Sequence, residues 1–195
     1  MTILTLVRHG ETDWNAGGRI QGSTDIPLNA TGRAQAREVG EILAAEYAGR
    51  AAFVVSSDLS RAAETADVIA AALGTSVARR LPGLQERSYG DAEGMDAATF
   101  YATYGPWHAA NVPNAEAWPV VRERALAALA EAVAAAPADT DVIAVAHGAL
   151  IREVIMHATD GEFPREGERL PNCSVTTFRL DDEAWEMLAY AGVAT

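Results

Sequence analysis

Two histidines in this chain share one local pattern: Leu6-Val7-Arg8-His9-Gly10 and Ala144-Val145-Ala146-His147-Gly148. An apolar run, a polar residue and a glycine describe a buried strand that ends in a sharp turn, where backbone passes close to a ligand. A third apolar run leads into Ser56-Ser57-Asp58, with Arg61 just beyond. Open α/β sheets bind ligands beyond the carboxyl ends of their strands, so this logic sends all three segments to one edge. Arg8 and Arg61 would bring bidentate donors for an oxyanion there. Arg61 also falls in the first turn of a helix, whose free N–H groups favour anions. Two arginines and two histidines around one anion suit phosphate chemistry. Taken singly, each residue has an ordinary explanation: a satisfied polar side chain at a strand end, or a structural charge. The coincidence carries the reading. A metal site on His9, His147 and neighbouring carboxylates is disfavoured by two permanent cations beside it. A serine hydrolase built on Ser56 or Ser57 lacks the G-x-S-x-G turn.

The elements that must position these residues follow from hydrophobic periodicity. Strands are predicted at 3–7, 52–55 and 141–145. Helices are predicted at 31–47, with Ala34, Val39, Ile42 and Leu43 inward, and at 59–73, with Ala62, Ala66, Ile69 and Leu73 inward and Gly74 as a stop. Two more are predicted at 119–135, with Val121, Ala125, Leu129 and Val133 inward, and from 149 to about 157. Residues 75–118 read as loops with a short helix near 96–104, and 88–118 as a lid. A closing hairpin of 174–180 and 184–191 turns across 181–183. Strands alternating with helices predict an α/β sheet with helices on both faces, in a single domain spanning 1–195.

The bulk properties narrow the partners. The net charge is −12, and all 15 positive residues are arginine. That balance argues against nucleic acid or an anionic membrane as a partner, since both require a basic face. Small anions fit if arginines gather locally. Cys173 is the one cysteine, so an internal disulfide is excluded and a reducing cytoplasm fits. The amino-terminal residues lack the pattern of a signal peptide, and no apolar run is long enough to span a bilayer.

Leu6-Val7-Arg8-His9-Gly10-Glu11-Thr12, with Trp14 and Asn15, resembles the RHG signature of the histidine phosphatase (phosphoglycerate-mutase-like) superfamily. Gln21-Gly22 with Asp25, Pro27 and Leu28, and then Gly32 and Gln35-Ala36, resemble the segments that follow. Ser56 to Ala62 with Thr65-Ala66 resembles the second arginine motif. Leu84-Gln85-Glu86-Arg87-Ser88-Tyr89-Gly90, ending at Glu93-Gly94, resembles the acid motif. Ala146-His147-Gly148 resembles the second histidine motif, and Pro171 to Val175 the late strand. RHG alone is a weak signal; the ordered set over nearly the whole chain is specific.

The resemblance implies a three-layer α/β/α sandwich around a mostly parallel sheet with one antiparallel edge strand. It implies His9 as the phosphorylated residue, with Arg8, Arg61, His147 and Asn15 holding the phosphate. It implies Glu86 as proton donor, and Gln21, Gly22 and Tyr89 as contacts to the organic part of a small phosphorylated substrate. No metal or organic cofactor is implied. Relatives are often dimeric, which leaves a homodimer open. Two positions depart from the pattern: Ala149 replaces a second glycine after His147, and Ala115-Glu116-Ala117 replaces Gly-Glu-Ser.

Chemically, His9 must present one neutral nitrogen while a backbone carbonyl near Gly10 holds the other as N–H. Hydrolysis is expected over the competing mutase activity, because residues 88–121 contain no cation to hold a second phosphate and carry Asp91, Glu93, Asp96 and Glu116. A non-catalytic phospho-ligand module is the third reading. Retention of both histidines, both arginines and Glu86 speaks against it. Trp107, His108 and Trp118 are candidates to line a substrate mouth.

Overall fold

The computed structural model describes residues 2–106, 110–165, 167–181 and 185–194. In chain order its elements are β1 (Thr2–Arg8), α1 (Asp13–Ala16), α2 (Ala30–Glu46), β2 (Ala52–Ser56), α3 (Ser60–Ala72), β3 (Val77–Arg80), α4 (Ala97–Tyr104), α5 (Trp118–Ala135), β4 (Asp141–Ala146), α6 (Gly148–Ala158), β5 (Glu168–Arg169), β6 (Val175–Leu180), β7 (Trp185–Tyr190) and β8 (Val193–Ala194). The main sheet has the order β3-β2-β4-β1-β6-β7. Its first four strands run parallel, and β6 and β7 form an antiparallel pair at one edge. β5 and β8 make a separate two-stranded sheet.

β4 shows why the sheet is covered on both sides. Val142, Ala144 and Ala146 belong to one apolar cluster with α5 and α6, while Ile143 and Val145 belong to another with α2 and α3. A strand buried on both faces reads as an unbroken apolar run, which is how this segment reads. β1 and β2, on either side of β4, likewise place residues in both clusters (Leu4, Leu6 and Val7; Val54 and Val55), and each fully buried leucine or valine contributes roughly 1.5–3 kcal/mol. Among the described residues no helix is long and apolar enough to cross a membrane.

Three local expectations change. In α2 the buried residues are Gly32, Ala36, Val39, Gly40 and Leu43, whereas Ala34 and Ile42 face solvent. Small residues at four-residue spacing let α2 approach α3 closely; a Cβ on Gly40 would lie 3.2 Å from the Ala72 Cβ. Apolarity alone favoured Ile42, but packing follows the small face. Second, Val77–Arg80 is a strand inside the stretch read as irregular. It is an exposed edge strand ending in two arginines, so it carries no apolar alternation. Third, β5 and β8 are too short for any periodic signal. The turn of the closing hairpin, residues 182–184, lies outside the described residues.

Candidate active site

The sheet register builds the centre of the site. β1 and β4 are parallel neighbours with Arg8 opposite Ala146, and the His9 N–H donates to the Ala146 carbonyl at 3.0 Å. His9 and His147 therefore leave the sheet side by side, their ring centroids 5.1 Å apart. β2 lies on the other side of β4, and Ser57 N–H donates to the Val145 carbonyl at 2.9 Å. α3 starts three residues later and carries Arg61 in its first turn. His9, Arg61 and His147 are all buried.

Glycine permits this crossing at Gly10. A Cβ there would fall 2.5 Å from the Gly32 carbonyl oxygen, at the start of α2. The Gly10 carbonyl in turn lies 2.6 Å from His9 Nδ1. A carbonyl only accepts, so Nδ1 carries the hydrogen and Nε2 keeps its lone pair. Burial, then the charges of Arg8 and Arg61, holds the His9 pKa well below its usual range. Burial, then Arg61, His9 and Arg8, does the same to His147. Both rings are neutral at pH 7.

The guanidiniums are fixed by backbone carbonyls. Arg61 donates to the Gly22 carbonyl at 2.8 Å and the Thr24 carbonyl at 2.9 Å, and Arg8 donates to the Leu170 carbonyl. Buried Nε of Arg8, Nε of Arg61 and both ring nitrogens of His147 have no hydrogen-bond partner among the described residues. Unsatisfied buried donors are costly, and here they sit together behind one cleft of about 300 Å³. Arg8, His9, Asn15, Gln21, Gly22, Arg61, Glu86 and Tyr89 all line that cleft, whereas His147 is buried beside His9 and is not part of the wall. Trp118 also lines it; Trp107 and His108 lie outside the described residues.

Asn15 is oriented by its neighbours. Its Oδ1 accepts from Thr12 N–H and from Asn172 Nδ2, both at 3.2 Å. That leaves the amide hydrogens for the cleft. Asn172 also donates to the His9 carbonyl at 3.0 Å, so it ties Asn15 to the histidine turn.

Glu86 sits at the start of α6. Its two oxygens accept from Ala149 N–H at 3.0 Å and Leu150 N–H at 3.1 Å. Ala149, where relatives often have glycine, thus contributes through its backbone. The loop carrying Glu86 is clamped by Arg124 of α5. One guanidinium donates to the carbonyls of Gly83 (2.9 Å), Gln85 (2.6 Å) and Glu86 (3.1 Å), and pairs with Glu116 at 2.7 Å. Sequence reading gave Arg124 no part in the site. Nothing in a helical arginine 38 positions from Glu86 signals such a clamp.

Glu93 does more than end the acid motif and add negative charge to that stretch. It accepts from Ser23 N–H and Thr24 N–H, both at 2.9 Å, and from Tyr89 N–H at 3.0 Å. Burial opposes its charge, but hydrogen bonds from Thr24, Ser23 and Tyr89 prevail and lower its pKa. Glu93 thereby fixes the loop whose carbonyls hold Arg61. Ser56, the last residue of β2, and Ser57 take no place in the cleft wall; Ser57 Oγ accepts from Leu59 N–H at 3.2 Å. Among the described residues no three His, Cys, Asp or Glu side chains gather as a metal-binding group.

This arrangement belongs to a known class. The model of the histidine phosphatase superfamily (branch 1) matches residues 4–192. The chain is 37% identical over 191 residues to PhoE, an uncharacterized phosphatase of Bacillus subtilis, covering 97% of this chain and 94% of that one. It is 32% identical to a metal-independent phosphoserine phosphatase of Arabidopsis thaliana, covering 100% of this chain and 83% of that one. The solved structure of a mycobacterial glucosyl-3-phosphoglycerate phosphatase complexed with VO3 superposes with a TM-score of 0.85 at 29% identity, each chain covered completely. Probable phosphoglycerate mutases also match. The chain belongs to the histidine phosphatase superfamily. It has the phosphoglycerate-mutase-like fold, and its relatives include both named phosphatases and probable mutases.

Proposed function

We propose that the chain hydrolyses phosphate monoesters of small metabolites through a phosphohistidine formed on His9. The carrying observation is the His9 turn: Nδ1–H is pinned to the Gly10 carbonyl, and the neutral ring lies among Arg8, Arg61 and His147. In this reading Nε2 attacks phosphorus in line with the ester oxygen, the P–N bond forms and the P–O bond breaks. Arg8, Arg61, Asn15 and His147 donate to the phosphoryl oxygens, where charge builds in the transition state. Glu86 hands its proton to the leaving alkoxide, then takes one from the water that attacks phosphohistidine. Breaking the P–N bond returns the lone pair to His9. For proton transfer the Glu86 carboxyl must release one of its two α6 amides, a small rotation at the end of the helix. In this reading the chain is a single domain spanning 1–195 whose segment 88–118 serves as a lid; in support, Tyr89 and Trp118, near its two ends, line the cleft. Gln21 and Gly22 face the organic part of the substrate.

The mutase reading keeps some support. The expectation of hydrolysis rested on a missing second set of cations in 88–121, yet Arg19, Arg152 and Arg169 reach the cleft from other segments. One assay separates the activities. With a chromogenic aryl phosphate we expect phosphate release that exhaustive chelation leaves unchanged. With 3-phosphoglycerate and bisphosphoglycerate we expect little 2-phosphoglycerate. Isomerisation outpacing phosphate release by orders of magnitude assigns a mutase. Measurable phosphate affinity with no turnover of any ester assigns a binding module.

A further inference from the structure

The two ends of an asparagine amide differ in what they do with a hydrogen, so a neighbour that only donates or only accepts fixes which end is which. Two asparagines beside the histidine turn are fixed in this way. One end of the Asn15 amide faces the Thr12 N–H at 3.2 Å, and a backbone N–H only donates, so that end is Oδ1. The Thr12 hydroxyl lies equally close to Oδ1 and itself accepts from the Asn15 N–H at 3.1 Å, which closes the cap of α1. One end of the Asn172 amide faces the His9 carbonyl at 3.0 Å, and a carbonyl only accepts, so that end is Nδ2. Its second hydrogen goes to Asn15 Oδ1 at 3.2 Å.

The two residues see different surroundings. Asn15 lines the cleft together with Arg8, His9 and Arg61, and it also lines a second hollow with Gly18, Gln35, Pro171 and Asn172. Asn172 lines the second hollow and has no place in the cleft wall. The backbone beside it is unusual. Cys173 holds φ at 57°, a left-handed conformation that residues other than glycine seldom adopt. In that conformation its N–H reaches the carbonyls of Arg8 at 3.0 Å and His9 at 3.3 Å. The Asn172 side chain and the Cys173 amide thus converge on one carbonyl of the nucleophile. Backbone held in a sparse region persists where its surroundings over-determine it, as they do here. The terminal torsion of asparagine is soft, and a single long hydrogen bond from Thr12 N–H holds it weakly. The Asn172 donor supplies the second constraint.

We propose that Asn172 is a positioning residue for phosphoryl transfer: fixed by the His9 carbonyl, its amide turns the Asn15 oxygen away from the cleft and the Asn15 NH2 toward the phosphoryl oxygens. The proposal rests on the reading of Asn15 as a phosphate contact. The donor matters here and the volume does not. A carboxylate of the same shape sets acceptor against acceptor at both the His9 carbonyl and Asn15 Oδ1. Rotation of the Asn15 amide relieves that clash, and it aims Oδ1 at the phosphoryl oxygens.

The test is a double-mutant cycle on the full chain, read by kcat/KM for a chromogenic aryl phosphate and by inhibition with vanadate. Asn172→Ala should lower kcat/KM by about tenfold, the scale of one hydrogen bond. Asn172→Asp keeps the shape and reverses the polarity, and should lower it by about 10²-fold or more. Inhibition by vanadate should weaken in the same order. In an Asn15→Ala background no amide is left to turn, so both penalties should shrink to about threefold or less. Asn15→Ala alone tests the reading underneath: turnover and vanadate inhibition equal to those of the intact enzyme remove Asn15 from the phosphate pocket, and the proposal with it. With Asn15→Ala impaired, an Asn172→Asp variant no worse than Asn172→Ala overturns the proposal and leaves Asn15 in place. Penalties undiminished in the Asn15→Ala background do the same, because they then act through the His9 turn or Arg8 instead. Should thermal unfolding show that Asn172→Asp does not fold, the Asn172→Ala arm of the cycle decides by the same criterion.

Discussion

The two ends of the cleft are built differently. At the buried end, Arg61 is inaccessible to solvent, His9 and His147 are neutral, and every guanidinium is held by backbone carbonyls. At the open end, Arg19, Arg169 and Trp118 are exposed, and Arg87 combines a backbone anchor with stacking: its Nε donates to the Glu116 carbonyl at 2.8 Å, and its guanidinium lies 4.7 Å from the Tyr89 ring and 4.2 Å from the Trp118 ring. A buried guanidinium on backbone carbonyls moves only if the fold moves, whereas an exposed side chain moves with one rotamer. The first end is therefore suited to stabilising charge as it develops, and the second to sorting substrates.

The buried end should give the largest effects. His9→Ala should lower kcat by on the order of 10⁴-fold or more, as loss of a nucleophile does. Rapid quench of the intact enzyme with labelled substrate should trap label that is lost in acid and retained in base, and the variant should trap none. Label stable in acid and lost in base would move the intermediate to a carboxylate.

Glu86 lies between the two ends, and its removal should be graded by the leaving group. Glu86→Gln should slow turnover by roughly 10²–10⁴-fold for alkyl esters and far less for aryl esters, whose weakly basic aryloxide leaves without a proton. Arg124→Met should show the same leaving-group dependence at about a tenth of the size, because it frees the loop and leaves the acid in place. A uniform loss across leaving groups would make Arg124 merely structural.

Acidification probes the neutral histidines. Their folded-state pKa values lie below the ordinary 6.5, so the unfolded chain binds more protons between those values. Stability should thus be full above about pH 6.5 and fall as pH drops below it. Glu93, whose pKa is lowered, adds a loss of the same sign below its ordinary 4.5. Thermal unfolding followed from pH 8 to pH 4 should show both, and His147→Asn should flatten the first. An unfolding temperature constant down to pH 5 would mean that the pocket tolerates charged histidine.

The open end should give the smallest change. Trp118→Ala removes one face of the Arg87 stack, worth about 0.5–1 kcal/mol at an exposed site. We expect a KM shift of a few-fold with kcat nearly constant. A larger fall in kcat would place Trp118 at the buried end of the chemistry.

The primary structure determined the buried end almost completely. Arg8-His9-Gly10, Arg61 and His147-Gly148 each follow an apolar strand that must be buried on both faces, and parallel register then brings strand ends together whatever the loops do. Local pattern and fold logic agree there. Tertiary structure alone decided what supports and surrounds that end. Arg124 reaches the Glu86 loop across 38 residues, Glu93 reaches Thr24 across 69, and Arg19, Arg152 and Arg169 meet from three segments without any shared pattern. A charged side chain on a solvated helix and one aimed at a cleft have the same identity and spacing. Only the packing of distant elements, fixed by the apolar core rather than by the charges, tells them apart.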